Sequence, residues 1–303
     1  MLATTCAVVW TLTVVAPALA QAPCKDQEPV LKKDCPSPLA WESARGLGLA
    51  LGLRSSAAST SALFYNPAGL VLGGAYHVEG NVDYLSGSKT TALGAAVADS
   101  ATSQLAGGVA FRGFLSGKEG YDGFDARLGL AFPFSEAISI GLAGRYINVS
   151  TEGEDEDGNP IDVELAQGIT LDASFRFQVG DVAVFDVAAY NFVDQDTALM
   201  PLELGFSAGF MLAPEFVFGF DILGDMGNFE APSMTAGGGL EYLAAGTVPL
   251  RGGYSFDTTR ELHRLGLGVG YTDKMLGVDL GFRQDLSGGD ETRVLLALRY
   301  YVR

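Results

Sequence analysis

Apolar and polar residues alternate with a period of two along most of the chain after residue 75. In AYHVEGNVDYL (75–85) one face is apolar with a tyrosine at each end, and the other carries polar residues: His77, Glu79, Asn81 and Asp83. Because successive side chains of a β-strand point to opposite faces, the pattern predicts strands with one apolar and one polar face. It recurs in the segments 75–85, 89–97, 103–113, 124–133, 136–149, 167–178, 182–193, 201–212, 216–224, 234–243, 248–256, 263–272, 275–284 and 293–302.

Fourteen two-faced strands define the expected fold class. Beyond residue 20 no stretch approaches the roughly 20 apolar residues of a membrane helix. A chain that spans a bilayer with strands must close them into a barrel, and single-chain bacterial barrels have an even strand number. We therefore predict an all-β protein: a 14-stranded antiparallel transmembrane β-barrel with its apolar faces toward lipid.

The connections between these segments support the same fold. Even-numbered connections are short, as at 180–181, 213–215 and 273–274, and we expect them in the periplasm. Most odd-numbered ones are longer and acidic, at 114–123, 150–166, 194–200, 225–233 and 285–292, whereas the first, 86–88, is short. This alternation is typical of outer-membrane barrels.

Charged residues on the polar faces are balanced in sign, with eight arginines and eight carboxylates. Buried charges are tolerated when they are paired, so we predict a paired interior and no strongly ion-selective pore. The candidate lumen residues are His77, Glu79, Asp83, Arg112, Arg127, Arg145, Asp172, Arg176, Glu203, Asp221, Glu241 and Arg251.

The N-terminal region predicts export. Residues 1–20 resemble a signal peptide ending in a small-x-small pattern, and an N-terminal membrane helix is the weaker alternative. Residues 21–44 are expected to form a periplasmic extension in which Cys24 and Cys35 are a candidate disulfide. A net charge of −17 argues against nucleic acid as a partner.

The motifs for chemistry are weak. The two histidines, His77 and His263, have no second metal ligand nearby in sequence, and no G-x-S-x-G elbow is present, so we expect neither an enzyme nor a cofactor. Asp155, Asp157 and Glu164 match part of a calcium loop, but a solvated acidic loop is favoured over a metal site. Glycines on the polar face of 263–272 indicate either a close approach of something in the lumen or a local kink.

Residues 41–70, WESARGLGLALGLRSSAASTSALFYNPAGL, are small, apolar and rich in turns, without a lasting period of two. They are too apolar to stay in the periplasm, because exposed apolar surface is costly. We expect them to fold inside the barrel, as a hatch over 45–74 ahead of a barrel over 75–303.

The stretch RSSAASTSALFYNPAGL resembles the hatch signature of the FadL-type outer-membrane transporters. YHVEGNVDY and AVADSATSQLAGGVAFR are also similar to this superfamily, which includes PorV-like secretion proteins. By this resemblance Asn66, Pro67, Ala68 and Gly69 form the hatch motif, and the wall at Gly107–Gly108 lies near a lateral exit.

The resemblance implies passive uptake of small hydrophobic compounds, fatty-acid-like or aromatic, across the Gram-negative outer membrane. The implied partners are the bilayer with its outer-leaflet lipopolysaccharide and a hydrophobic ligand, with detergent or fatty acid in the lumen. The modest acidic loops and a C-terminus without the usual terminal aromatic depart from the fatty-acid transporters. A PorV-like barrel that binds proteins is therefore the alternative.

Overall fold

The computed structural model describes residues 22–26, 35–116, 120–155 and 158–302. The predicted signal peptide and Asp157 lie outside these residues. The strands are β1 (Tyr76–Leu85), β2 (Thr90–Asp99), β3 (Ala106–Ser116), β4 (Asp122–Pro133), β5 (Ile138–Glu154), β6 (Pro160–Val179), β7 (Ala183–Tyr190), β8 (Glu203–Ala213), β9 (Phe216–Asp225), β10 (Ser233–Ala244), β11 (Val248–Asp257), β12 (Leu262–Thr272), β13 (Leu276–Ser287) and β14 (Thr292–Val302).

These strands form one closed antiparallel barrel in which each strand pairs with its neighbours in sequence. The barrel closes between β1 and β14, where Tyr76 lies opposite Val302 and Leu85 opposite Arg293. The predicted fourteen-stranded fold is confirmed. Closure pairs both edges of every strand, so the sheet has no open edge.

The two faces of the wall differ as the period of two predicts. Along β1, apolar residues such as Tyr76 are exposed on the outside, whereas His77, Glu79 and Asp83 are buried on the inside. The exposed outer face continues round the barrel through side chains such as Ile169. Among the described residues, no helix is both long and apolar enough for a membrane crossing.

The β5–β6 hairpin is longer than the sequence predicts. The two strands stay paired as far as Glu154 opposite Pro160, with a register shift at Val149–Ser150. The predicted loop 150–166 is therefore wrong, since only residues 155–159 connect the strands. The contrast between long and short connections is correspondingly weaker than predicted, and the β7–β8 connection (191–202) is the longest.

Residues 35–75, which we call the N-terminal segment, run from one end of the barrel to the other. The segment contains the helices α1 (Ala44–Leu49) and α2 (Ala62–Tyr65) and 3-10 turns at 54–56, 59–61 and 67–72. Its end at Ala75 accepts a backbone hydrogen bond from Ser100 in the β2–β3 turn, at 3.3 Å. The chain enters β1 from there.

The opposite end of the segment lies among the odd-numbered connections. Cys24 and Cys35 form a disulfide that packs with Ala198 and Phe229, on the β7–β8 and β9–β10 connections. Leu39 also donates a backbone hydrogen bond to Leu199, at 2.9 Å. Apolar packing thus holds this part of the chain at the end of the barrel that carries the odd-numbered connections, and its periplasmic location stays a prediction.

Candidate functional site

Glycines on the inner wall leave room for the backbone of α1. A methyl group at Gly239 would lie 2.7 Å from the carbonyl oxygen of Leu49, and one at Gly253 would lie 2.8 Å from Leu49 Cα. At Gly268 a methyl would lie 3.3 Å from Gly48 Cα. The prediction that polar-face glycines mark a close approach is confirmed, and the approaching group is the N-terminal segment itself.

Inside the wall, charged side chains share their ion-pair partners. Ten of the twelve predicted lumen residues are buried, and Glu203 and Glu241 are half-buried. Glu241 accepts hydrogen bonds from Arg45 of α1 at 3.0 Å and from Arg251 of β11 at 2.5 Å. One carboxylate thus joins the N-terminal segment to the wall.

The series of ion pairs continues round the lumen from Arg251. Asp279 accepts from Arg251 at 2.5 Å and also pairs with Arg299. Arg299 donates to Glu79 at 2.9 Å, and Glu79 accepts from the Thr60 hydroxyl at 2.8 Å. This series of ion pairs and hydrogen bonds therefore begins and ends on the N-terminal segment, and it crosses the β1–β14 seam.

Glu42 of the N-terminal segment lies between two wall arginines. It accepts from Arg283 at 2.7 Å and from Arg293 at 2.9 Å, and Arg293 also pairs with Asp83. Burial alone would raise the pKa of Glu42, but the two guanidinium groups lower it from 4.5 to about 2. The carboxyl group is therefore ionised throughout the physiological range.

Asp125 is the centre of a second cluster of charged side chains, and it is not among the predicted lumen residues. It accepts from Arg112 at 3.2 Å and from Arg145 at 2.8 Å. Arg145 also donates to the carbonyl oxygen of Leu39, and Arg112 stacks over the Trp41 ring at 5.0 Å. Asp125 lies on the same strand face as Arg127, so the period of two already indicated that Asp125 faces the lumen.

Arg127 extends the Asp125 cluster, since it lies 4.0 Å from Asp125 and pairs with Asp172 at 3.4 Å. Arg176 donates to Gln178 at 3.0 Å. His77 contacts Ser59 through Nδ1 at 2.5 Å, while its buried Nε2 atom has no hydrogen-bond partner among the described residues.

The Asn66–Gly69 motif turns the chain inside the barrel. The Asn66 amide donates to Asp186 at 2.5 Å and to the Arg54 carbonyl at 3.1 Å. Pro67 opens the 3-10 turn that follows, and the backbone of Ala68 bonds Ser174 and Ser139 through its N–H and C=O groups. A methyl at Gly69 would contact the Ala57 carbonyl carbon at 3.1 Å, so this position is tightly packed.

Arg54 anchors the middle of the segment. It donates to Asp221 at 3.3 Å and to the Tyr190 hydroxyl at 3.1 Å, and it stacks over the rings of Tyr65 and Tyr190. Asp221 also accepts from the Gly52 N–H at 2.8 Å. Asp221 thus binds the segment at two of its residues, Gly52 and Arg54.

The wall is continuous at Gly107 and Gly108. Gly107 pairs with Asp99 and Leu130 on its two sides, and Gly108 pairs with Ala98 and Gly129, without a register shift. Register shifts lie elsewhere, at Val149–Ser150, Met211–Ala213 and His263–Arg264. No gap is open at the predicted exit in this structure.

The weak calcium motif is not assembled among its described residues. Asp155 accepts from Asn159 in the hairpin turn, and Glu164 lies on β6 opposite Ser150. No group of His, Cys, Asp and Glu suited to a metal ion occurs in the described part of the chain. His263 contacts Tyr254 at the barrel end, far along the sequence from His77.

The fold and the interior together define a class: a closed fourteen-stranded barrel whose lumen holds an N-terminal segment. No protein-family model and no curated protein sequence matches the chain. The similarity lies in solved structures, and it shows the fold.

Three of these structures show how far the likeness extends. The toluene transporter TbuX of Ralstonia pickettii is 14% identical, with a TM-score of 0.61 over 88% of this chain and 98% of that one. The toluene transporter TodX of Pseudomonas putida is 12% identical, with a TM-score of 0.61 over 88% and 100%. A Pseudomonas aeruginosa FadL homologue is 11% identical, with a TM-score of 0.60 over 88% and 99%.

Proposed function

We propose that the protein is an outer-membrane channel for the passive uptake of small hydrophobic compounds, aromatic or fatty-acid-like. The observation that carries the proposal is a closed fourteen-stranded barrel with a charged interior that holds the N-terminal segment. The outer face is apolar, as a lipid-facing surface must be. Two structures of the same fold are named as toluene transporters.

In this proposal the N-terminal segment is a plug. Its backbone fills the space above the inner-wall glycines, and its arginines share carboxylates with the wall. A solute passes when part of the segment moves aside. Ion pairs that are shared in this way exclude water and ions while the segment is in place.

The lateral exit at Gly107–Gly108 stays a prediction. The two glycines bring no side chain into the wall, and Gly108 faces Leu63 of the segment, at 3.2 Å from the position of a methyl group. Because the ladder is continuous there, an exit requires local separation of β3 from a neighbouring strand. That separation would expose backbone groups, so it must be brief.

Uptake of radiolabelled toluene by cells with and without the protein tests the proposal. Lipopolysaccharide slows the direct entry of hydrophobic solutes, so the protein should raise the initial rate. A hydrophilic trisaccharide is the control for a nonspecific leak, and its uptake should not change. Equal toluene uptake in the two strains contradicts the proposal.

A PorV-like role in protein assembly is the second candidate. The connection β11–β12 covers only residues 258–261, and β13–β14 only 288–291, so no large loop forms an apolar capture groove there. Affinity purification from gently solubilised membranes separates the two roles. An assembly barrel returns a stoichiometric secreted partner, and a solute channel returns none.

A further inference from the structure

A cavity of about 540 Å³ opens at the end of the barrel that carries the odd-numbered connections, and we call it the outer vestibule. Charged side chains of both signs line it. The arginines are Arg54, Arg260, Arg264, Arg283 and Arg293, and the carboxylates are Glu42, Glu203, Asp225, Asp257, Asp285, Asp290 and Glu291.

Every arginine of the vestibule already has a carboxylate partner. Arg260 pairs with Asp225 at 3.1 Å and with Asp257 at 3.0 Å. The other pairs are Arg54–Asp221, Arg264–Asp285, Arg283–Glu42, Arg283–Glu291, Arg293–Glu42 and Arg293–Asp83. Each arginine that lines the cavity is thus compensated by a carboxylate and offers an anionic solute no unbalanced positive charge.

Two carboxylates of the vestibule have no such partner. Within the described residues, the side chains of Glu203 and Asp290 form neither a salt bridge nor a hydrogen bond, whereas the other five carboxylates are all paired with arginine. When both carboxylates are ionised, the uncompensated charge that faces the cavity is negative. Negative charge attracts cations into a cleft and repels anions.

Glu203 also occupies the junction with a second, inner cavity. Glu203, Arg54 and Glu42 line both spaces, and the inner one is bounded by aromatic residues that include Trp41, Phe64 and Tyr65. Arg127 and Arg145 also line the inner cavity, where they are paired with Asp172 and Asp125. A solute moving inward from the vestibule would pass Glu203 before it reaches the aromatic side chains. The aromatic rings suit the apolar part of the solute, and cations interact favourably with ring faces.

We propose that the channel admits neutral and cationic aromatic solutes and excludes anionic ones, and that Glu203 sets this charge selectivity. The inference rests on the proposed uptake function and narrows its substrate class. Fatty-acid-like carboxylates are then poor substrates, because the paired arginines offer them no free cation and the two unpaired carboxylates repel them.

Three probes of similar size and fixed charge test the proposal in proteoliposomes whose outer leaflet is lipopolysaccharide. They are neutral benzyl alcohol, benzyltrimethylammonium and benzenesulfonate. Initial uptake rates are measured for the unmodified protein, Glu203→Gln, Asp290→Asn and Glu215→Gln. Glu215 is the matched control, since it is an exposed carboxylate in the β8–β9 turn at the opposite end of the barrel.

The unmodified protein should take up benzyl alcohol and should prefer the cation to the anion. At pH 9, Glu203→Gln should lower the cation-to-anion ratio by about 30-fold, because a unit charge at about 4 Å in a water-like dielectric changes each of the two rates about 5- to 6-fold in opposite directions. Asp290→Asn should lower the ratio less, because Asp290 is more exposed to solvent. Glu215→Gln should leave it unchanged.

The outcomes separate this inference from the function on which it rests. Protein-dependent uptake of benzyl alcohol without a preference for the cation overturns the charge selectivity and leaves the channel function standing. A cation preference that Glu203→Gln does not reduce overturns the role of Glu203. No protein-dependent uptake of benzyl alcohol overturns both.

Discussion

Gly253→Ala should loosen the contact between the N-terminal segment and the wall. The new methyl group would lie 2.8 Å from Leu49 Cα and nearer still to the Leu49 carbonyl group. Backbone atoms cannot rotate away as a side chain can, so α1 or β11 must shift. Overpacking of this kind costs about 1–3 kcal/mol.

That cost applies only while the segment is in place. The ratio of protein with the segment displaced to protein with the segment seated should therefore rise by about 5-fold to about 150-fold. Single-channel recording in planar bilayers measures it as the fraction of time spent at high conductance. Gly252→Ala is the matched control, since a methyl group there meets no atom within 4 Å.

Heat-modifiable migration on gels shows whether both variants fold as barrels. If both fold and Gly253→Ala opens no more often than Gly252→Ala, then the seated segment does not close the conduction path. That result would refute the plug.

Three further predictions concern the contacts of the N-terminal segment. Glu241→Gln leaves Arg45 without its carboxylate and should destabilise the folded barrel by about 1–3 kcal/mol, the range for hydrogen bonds to a charged group, measured as a lower urea midpoint; an unchanged midpoint counts against a carboxylate shared by Arg45 and Arg251. Reducing the Cys24–Cys35 disulfide should cost about 3 kcal/mol of local stability and speed proteolysis of this region without melting the barrel; equal proteolysis contradicts this. Because the pKa of Glu42 is lowered to about 2, the ion pairs of Glu42 should stabilise the seated segment fully above about pH 4.5, and this stabilisation should be lost as the pH falls toward 2. Glu42→Gln should therefore flatten the pH dependence of channel opening. An unaltered pH profile would contradict this prediction.

The barrel could be predicted from the sequence because its signal is local. A period of two shows which residues face inward, and it applies equally to Asp125 and Arg293, which the predicted residues omitted. The error at the β5–β6 hairpin has a physical reason. Residues 150–159 contain no hydrophobic residue, so they have no period of two in hydropathy although 150–154 pair with β6.

The interior could be predicted only in part, because its partners are distant in sequence. The polar face identifies Glu241 and Arg251, but the third member, Arg45, lies in a stretch without periodicity. The position of the disulfide depends on apolar contacts with loops about 170–200 residues away, such as that of Phe229. Sequence patterning carries no information about such contacts.

The central claim is that hydrophobic solutes cross the barrel along a path that the N-terminal segment controls. The most direct measurement is the initial rate of toluene uptake in cells that contain no protein, the unmodified protein or the Gly253→Ala variant. The account predicts that the rate rises in that order at equal amounts of folded barrel. Equal rates in all three strains would contradict it.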